Sequence, residues 1–193
     1  MILEVVLDVA ERLERAGLRY VIGGSIASSV WGQMRQTNDA DFAVRMDRED
    51  VDKLVSAFGD PYYVSSLDVE EAFRERKEYR TIQILHMDEV FKIDVFVVGD
   101  DPFVRSEFER AKTVALISGR SVKIACPETI VIQKLRWYRL GNMVSDRQWN
   151  DIVQVLETQS ERLDWSYLRE WANHFGLGEW LEKARSEAID PCE

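Results

Sequence analysis

The sequence contains few cysteines and no long apolar run. Its 193 residues include only two cysteines, Cys126 and Cys192, which lie far apart and match no metal-binding spacing. Because two cysteines are too few to cross-link a domain of this size, we expect a protein kept in the reduced state. No segment reaches the roughly 18 apolar residues that a membrane span requires, and Glu4 and Asp8 interrupt the place of a signal peptide. We therefore expect a cytoplasmic protein that does not associate with membranes.

Histidine is also scarce, and acidic residues outnumber basic ones by 35 to 25. The two histidines, His86 and His174, are isolated in the sequence, and we assign neither a catalytic role. The formal net charge of -10 argues against broad nonspecific binding to nucleic acid, which requires many lysines and arginines to neutralise phosphates. The basic residues that do cluster are Lys134, Arg136, Arg139 and Arg147. Charges at such spacing usually form a solvated helix face, although the cluster leaves a locally basic site open.

Flexible linkers, repeats and low-complexity segments are absent, so the organisation is read from apolar periodicity. The strands predicted from it are 18–22, one starting at residue 40, 80–85, 90–98, 113–116 and 121–124. The helices predicted between them are 2–16, 26–31, 48–58, 69–76 and 102–111. From Pro127 onward the pattern is helical, with helices predicted at 128–140, 146–158, 165–175 and 179–187. The sequence thus predicts an α+β fold: a mixed-sheet core with helices packed on it over residues 1–125, followed by a C-terminal helical portion over 126–193 that packs on the core.

The segment Gly23-Gly24-Ser25 joins a predicted strand directly to a predicted helix. Two glycines allow a tight turn and a close approach of the backbone to a ligand, while the helix offers unpaired N–H groups and the positive end of its dipole. These properties suit a phosphate group, to which Ser25 could add a hydroxyl donor. The same turn can also join strand to helix without any ligand, and taken alone the motif favours that structural role.

Asp39 and Asp41 lie two residues apart at the start of a predicted strand. Alternation along the strand directs both side chains to one face, where two carboxylates repel each other unless a cation lies between them. Hard divalent ions such as Mg²⁺ take oxygen ligands and keep positions for water and substrate phosphates. A turn or capping role for Asn38 and Asp39 explains the pair equally well at this point.

Asp94 interrupts a strand rich in β-branched and aromatic residues, 90–98. A carboxylate in such surroundings is costly unless it is paired or bound to a metal. Lys92 and Arg80 are the alternative partners for a simple salt bridge, and a position on a solvent-facing side of the sheet is a further alternative. Neither alternative explains why the chain also carries the glycine turn and the paired aspartates.

Three segments occur in a characteristic order: Val21-Ile22-Gly23-Gly24-Ser25-Ile26-Ala27, then Arg35-Gln36-Thr37-Asn38-Asp39-Ala40-Asp41-Phe42, then Ile93-Asp94-Val95. This order resembles the nucleotidyltransferase superfamily that includes DNA polymerase β, in which a Gly-Ser turn precedes an Asp-x-Asp pair by about a dozen residues and a third carboxylate follows on a later strand. The Gly-Gly-Ser form, the Arg-x-Thr before the aspartates and the helical tail are most similar to bacterial abortive-infection and toxin-type nucleotidyltransferases. The resemblance covers residues 18–98 well and the tail more loosely.

The resemblance implies a metal and nucleotide site. Asp39, Asp41 and Asp94 would be the catalytic carboxylates and would hold Mg²⁺ or Mn²⁺, which also binds the triphosphate of an NTP. Asp94 would in addition help to activate the attacking hydroxyl. The nucleotide-binding residues that the resemblance implies are Gly23, Gly24, Ser25, Arg35, Thr37 and Lys134.

Three of these nucleotide contacts have competing interpretations. Lys134 shares a mostly apolar helical stripe with Ile130 and Tyr138, where an ammonium requires an anionic partner, and an ordinary surface lysine is an equal alternative. Arg35 and Thr37 either contact nucleotide or steady the start of the strand by hydrogen bonds. Two aspartates of the tail are left out of the predicted site: Asp146 is interpreted as a helix cap and Asp151 as a surface charge.

The predicted reaction is transfer of an NMP group from an NTP to a hydroxyl acceptor, with release of pyrophosphate. The resemblance leaves the acceptor open: toxin-type relatives modify RNA ends or other macromolecules, such as protein, whereas antibiotic-modifying relatives act on small molecules of the aminoglycoside or lincosamide type. It also implies an antitoxin-like protein partner. The alternative from another class is a non-catalytic nucleotide-binding or regulatory module of the same fold.

Overall fold

The fold is described from a computed structural model of the chain. The structure describes residues 2–74, 80–117 and 119–189, with the backbone alone at residues 68 and 74. Cys192 and the end of the helix predicted at 69–76 lie outside the described residues. None of the described helices is long and apolar enough to cross a membrane.

Helices and strands are interspersed up to residue 124, and the described elements after it are all helices. The strands are β1 (Arg19–Ile22), β2 (Asp39–Arg45), β3 (Tyr62–Val64), β4 (Arg80–His86), β5 (Phe91–Val98), β6 (Lys112–Ile117) and β7 (Arg120–Ile124). The α-helices are α1 (Ile2–Arg15), α2 (Gly24–Trp31), α3 (Val51–Ala57), α4 (Ser66–Arg74), α5 (Pro102–Arg110), α6 (Pro127–Leu140), α7 (Asp146–Gln159), α8 (Trp165–His174) and α9 (Gly178–Ile189). Short 3₁₀ helices occupy Arg48–Asp50 and Ser160–Arg162.

The seven strands found among the described residues form one mixed sheet in the order β3-β4-β5-β2-β1-β7-β6. The central pair β2 and β5 is parallel, as is the pair of β1 with β7, and the remaining neighbours are antiparallel. Strands β2 and β5 are therefore neighbours in space although α3, β3, α4 and β4 separate them along the chain. The predicted α+β class with a mixed sheet is confirmed.

The two faces of the central strands differ in character. Side chains at alternate positions of β2 are fully buried, and the same holds for the matching positions of β5 and β4; they are Ala40, Phe42, Val44, Ile93, Val95, Ile82 and Ile84. Helix α1 contributes an apolar stripe to the same core through Val6, Val9 and Leu13. The intervening positions of β2 and β5 point to the opposite face, which carries charged side chains at the start of β2 and apolar ones, such as Ala43 and Phe96, further along.

The chain divides into two compact units: Met1–Gly23 with Thr37–Ile124, and Gly24–Gln36 with Ala125–Glu193. The first, the sheet unit, contains all seven strands with α1 and α3 to α5. The second, the helical unit, contains α2 and α6 to α9, and in it α2 packs against both α6 and α7. The segment Gly24–Gln36, which the sequence assigns to the N-terminal portion, thus groups with the C-terminal helices. The division of function between residues 1–125 and 126–193 stays a prediction.

The predicted helices and strands agree closely with the observed ones. The main omission is β3, which the sequence leaves in a loop because its three residues are too few to display an alternation of apolar and polar positions. The helix predicted at 48–58 is a 3₁₀ turn followed by α3, and Asp47 caps the turn by accepting a hydrogen bond from the Glu49 N–H.

Candidate active site

The three predicted catalytic carboxylates lie together on one face of the sheet unit. Asp41 on β2 is paired in register with Asp94 on β5, and Asp39 is paired with Lys92. Paired residues of neighbouring strands point to the same side of a sheet, with their strands about 4.8 Å apart. The structure therefore brings Asp39, Asp41 and Asp94 onto a common surface, and it adds Lys92, which the sequence suggests only as a salt-bridge partner.

Local hydrogen bonds fix the start of β2. The Thr37 hydroxyl donates to Asp39 Oδ1 at 2.7 Å, so this threonine orients the first carboxylate. The backbone N–H of Gly23, which follows β1, donates to the Asp41 carbonyl at 2.9 Å. The glycine turn and the aspartate pair are thus joined through the backbone. The role of Thr37 that this geometry supports is the structural one.

Asp94 is the buried member of the set, with 8% of its surface exposed. Lys92 Nζ lies 2.6 Å from Asp94 Oδ2, which confirms the ion pair considered from the sequence. The hydrogen bond that Lys92 donates to Asp94 outweighs partial desolvation and, together with the charges of all three aspartates, holds the pKa of Lys92 above its usual 10.5. The second oxygen, Asp94 Oδ1, is buried without a hydrogen-bond partner. A buried carboxylate oxygen without a partner leaves a strong acceptor unsatisfied.

The carboxylate face suits a divalent cation in its chemistry. Among the described residues, no group of three His, Cys, Asp or Glu side chains is arranged to hold a metal ion by itself. Mg²⁺, however, is usually held by one or two carboxylates together with substrate phosphates, so a complete protein cage is not required. The unsatisfied Asp94 Oδ1 and the oxygen donors of Asp39 and Asp41 fit such a cation.

The glycine turn has the backbone conformation that its composition predicts. Gly24 has φ of +53°, in the left-handed region that costs other residues energy, and it begins helix α2. Ser25 follows in the first turn of α2. Its hydroxyl accepts a hydrogen bond from Arg35 Nη2 at 2.9 Å. Arg35 and Ser25, both predicted as nucleotide contacts, are therefore in contact with each other.

A buried aspartate of α7 gathers the cationic residues of the helical unit. Arg35 forms a two-pronged pair with Asp151, from Nε to Oδ1 and from Nη2 to Oδ2, both at 2.9 Å. Lys134 Nζ lies 2.7 Å from Asp151 Oδ2 and also donates to Gln148 Oε1 at 3.1 Å. The Ser28 hydroxyl is 3.3 Å from Asp151 Oδ2. Asp151 is thus hydrogen-bonded from α2, from α6 and from the loop that follows α2.

The electrostatics of Asp151 follow from these partners. Burial alone would raise the pKa of this carboxyl, but the hydrogen bond from Arg35 and the charge of Lys134 outweigh burial, so the pKa lies below the usual 3.8. Asp151 therefore carries a full negative charge at neutral pH. Two cations share one carboxylate, and the group of Lys134, Arg35 and Asp151 has a net positive charge.

The interpretation of Asp151 as a surface charge is wrong, because its side chain is only 6% exposed. The signal that could have found it is the same one that identifies Asp94. Asp151 lies four residues before the buried Val155 and hence on the apolar stripe of α7. The predicted anionic partner of Lys134 exists and is this residue. Asp146 occupies the first turn of α7, whereas the cap is formed by Ser145, which accepts from the Gln148 N–H.

No family model matches the chain. A segment of 94 residues is 31% identical to the aspartate carbamoyltransferase catalytic subunit of Christiangramia forsetii, and the match covers 45% of this chain and 30% of that protein. The chain thus spans less than a third of that relative, and a match of this extent does not place it in that family.

Solved structures match over nearly the whole chain. A nucleotidyltransferase-like protein from Paracoccidioides brasiliensis has a TM-score of 0.55 at 17% identity and covers 95% of this chain and 91% of its own. The antibiotic-resistance factor ANT(2″)-Ia in complex with adenylyl-2″-tobramycin has a TM-score of 0.54 at 14% identity, with 97% of each chain covered. A solution structure of ANT(2″)-Ia has a TM-score of 0.52 at 15% identity, covering 96% of this chain and 90% of its own. The similarity predicted from the motif order is confirmed in three dimensions: this chain has the nucleotidyltransferase fold.

Proposed function

We propose that the protein is a metal-dependent nucleotidyltransferase, which transfers an NMP group from an NTP to a hydroxyl acceptor. The observation that carries the proposal is the register of β2 and β5, which sets Asp41 beside Asp94 and on the same face as Asp39. Mutually repelling carboxylates on one surface, one of them buried with an unsatisfied oxygen, have an electrostatic reason to exist when a cation binds there. The fold of the chain is consistent with this chemistry.

The three carboxylates of Asp39, Asp41 and Asp94 have different roles in the proposed reaction. Asp39 and Asp41 would hold Mg²⁺ or Mn²⁺ together with the triphosphate, with Thr37 keeping the Asp39 carboxylate oriented. The cations would supply charge stabilisation for the attacking and leaving oxygens. Asp94, buried next to Asp41, would share one cation and would receive the proton of the acceptor hydroxyl. The acceptor oxygen then forms a bond to the α-phosphorus while the bond from that phosphorus to the pyrophosphate oxygen breaks.

The phosphate-binding groups in this proposal are those of the glycine turn, together with Arg35 and Lys134. Gly23 and Gly24 allow the backbone to approach a phosphate closely, and α2 offers the N–H groups of its first turn. Ser25 and Arg35 add a hydroxyl and a guanidinium that are already held to each other. The net positive charge of Arg35 and Lys134 around Asp151 favours a polyanion such as a triphosphate.

Transfer of label from an NTP tests the proposal. The protein is incubated with each α-labelled NTP, Mg²⁺ or Mn²⁺, and a cell extract, and label is expected on an acceptor. Asp41→Asn should reduce the label by at least about 100-fold, since it removes a charged ligand that acts in the transition state. Asp47→Asn, in the capping turn after β2, is the matched control and should retain activity. If no component of the extract becomes labelled with any of the four NTPs, the proposal is contradicted.

Two acceptor classes follow from different observations. A macromolecular acceptor such as RNA or protein, and with it a toxin role and an antitoxin-like partner, follows from the motif form and the helical tail. A small acceptor is favoured by the match to ANT(2″)-Ia, whose structure contains adenylyl-2″-tobramycin. Treatment of the labelled extract with ribonuclease or protease distinguishes RNA from protein, and parallel reactions with tobramycin test the small acceptor.

The alternative function is a non-catalytic nucleotide-binding module. In that case NTP binding would persist in Asp41→Asn and no label would be transferred by the wild-type protein. The unsatisfied Asp94 Oδ1 argues for the enzyme, because a binding module has no requirement for a buried third carboxylate.

A further inference from the structure

Lys134 lies too deep in the helical unit to be an obvious ligand contact. Its side chain is only 5% exposed, and its ammonium is held by Asp151 Oδ2 at 2.7 Å and by Gln148 Oε1 at 3.1 Å. A nucleotide that drew this ammonium away from Asp151 would leave a buried carboxylate without part of its charge compensation.

The contacts continue outward from Lys134 in one direction. Asp151 receives Lys134 on Oδ2 and the two-pronged guanidinium of Arg35 on both oxygens. Arg35 is 26% exposed, so the chain of contacts leads from the buried α6 lysine toward solvent. Its Nη2 carries two hydrogens, which satisfy Asp151 Oδ2 and Ser25 Oγ, each at 2.9 Å.

The last contact determines how the Ser25 hydroxyl can act. A serine hydroxyl has one hydrogen to donate and two lone pairs to accept with. Because Arg35 has no acceptor, the hydroxyl must use a lone pair in this contact. Its hydrogen is thereby directed away from Arg35 and remains to be donated to an anion. The guanidinium thus selects the donor orientation of Ser25.

We propose that Lys134, Asp151 and Arg35 form a positioning chain that holds the Ser25 hydroxyl as a donor to a phosphate oxygen of the NTP. In this assignment Lys134 is a positioning residue that acts through Asp151, and it does not touch the nucleotide. Asp151 is the link that aligns Arg35. The inference rests on the proposed function, since it names how one side chain of that site is oriented.

A direct contact and a positioning chain predict different couplings between substitutions. If Lys134 touches the triphosphate, its removal weakens binding by the same factor whether or not Ser25 and Arg35 are intact. If Lys134 acts through Asp151 and Arg35, its removal has no further effect on NTP affinity once Ser25 and Arg35 have been replaced. Residues that act through one another are non-additive in a double-mutant cycle.

The experiment measures the affinity of the full chain for each NTP with Mg²⁺, without acceptor, by calorimetry. Lys134→Met is introduced into the wild-type protein and into the Ser25→Ala/Arg35→Gln variant. We expect Lys134→Met to weaken NTP binding by about 10-fold in the wild type and by less than about 2-fold in the double variant, since a lost charge-assisted contact has an effect of that order. Far-ultraviolet circular dichroism establishes that each variant is folded.

Two further variants complete the design. Asp151→Asn breaks the same chain without removing the ammonium, and it replaces Lys134→Met in the cycle if that variant does not fold. Asp146→Asn, on the exposed first turn of the same helix, is the matched control and should leave NTP affinity within about 2-fold of wild type.

The outcomes separate the inference from the function on which it rests. An equal loss of affinity on Lys134→Met in both backgrounds would overturn the positioning chain while label transfer by the wild type continued. No loss in the wild-type background would overturn it as well. Absence of NTP binding and of label transfer in the wild-type protein would overturn the proposed function and the inference together.

Discussion

At the scale of single residues, Lys92 stands out because it binds the carboxylate that a metal would need. Its ammonium pairs with Asp94 Oδ2, and the charges of Asp39 and Asp41 act on it as well. A lysine in this position neutralises part of the negative face when no cation is bound. It therefore competes with a divalent cation for the same carboxylate.

Lys92→Gln should strengthen metal binding. Removal of the competing charge should lower the dissociation constant for Mn²⁺ by about 3- to 10-fold, a modest factor because the lysine is partly solvated and its pair is screened. Electron paramagnetic resonance of free Mn²⁺ measures this directly. Lys53→Gln, which removes another ion-paired lysine of the sheet unit, is the control and should not change the affinity. Unchanged or weaker binding in Lys92→Gln would contradict the competition.

At the scale of elements, the first turn of α2 depends on a glycine with a left-handed backbone. Gly24 has φ of +53°, a conformation that costs other residues about 1–2 kcal/mol. Gly17, with φ of +72° after α1, has the same requirement, and the space that a Cβ atom would occupy there is open. The two glycines therefore share a conformation but differ in their distance along the chain from Ser25.

Gly24→Ala should destabilise the protein and also impair label transfer. The loss in unfolding free energy should be about 1–2 kcal/mol from backbone strain, similar to that of Gly17→Ala. Only Gly24→Ala should lose activity at temperatures where both variants are folded, because its strain falls on the proposed phosphate-binding turn. Thermal unfolding and the labelling assay are the measurements. Equal activity in the two variants would argue against a phosphate role for this turn.

Most elements were predictable because their signals are local. The alternation around Ala40 and Phe42 predicts β2, and Gly17 predicts the end of α1, since each pattern needs only a few neighbouring residues. The apolar setting of Asp94 likewise predicts a buried carboxylate, which the structure confirms, and its functional role stays a prediction. The hydrogen bonds that converge on Asp151 are not predictable in this way. Their donors come from α2, α6 and the loop before β2, and no short segment of the sequence contains them.

The grouping of Gly24–Gln36 with the C-terminal helices could not be predicted for the same reason. It follows from packing of α2 on α6 and α7, which are more than ninety residues further along the chain. Sequence continuity suggested instead that α2 belongs with β1 and β2. Tertiary packing overrides chain proximity whenever an apolar helix face finds its partners far away in sequence.

At the scale of the whole molecule, stability depends on a buried ionised group. The pKa of Asp151 is lowered in the folded protein relative to 3.8. A carboxyl with a lowered folded pKa stabilises the folded state at pH values above its unfolded pKa, and this contribution is lost as the pH falls through the folded pKa. Loss of charge on Asp151 would also leave Lys134 and Arg35 without their shared carboxylate.

The effect of Asp151→Asn on stability should therefore depend on pH. We expect the variant to be less stable than wild type by about 3 kcal/mol at pH 7, as for a broken buried ion pair, and the difference to shrink below about pH 4. Urea unfolding across this pH range measures it. Asp146→Asn should differ from wild type by no more than about 0.5 kcal/mol at every pH. A pH-independent difference for Asp151→Asn would show that its charge does not stabilise the fold.

The pairing of β2 with β5 also limits which insertions and deletions the site can tolerate during evolution. Asp41 and Asp94 are neighbours through the sheet, so the loops that join α3, β3 and α4 can gain or lose residues without moving either carboxylate, provided that β5 keeps its register with β2 and β4. A shift of β5 by one residue would instead turn Asp94 into the core and expose Ile93 or Val95. During evolution, changes in the length of these loops would therefore preserve the carboxylate face, whereas a shift of β5 by a single residue would remove Asp94 from it.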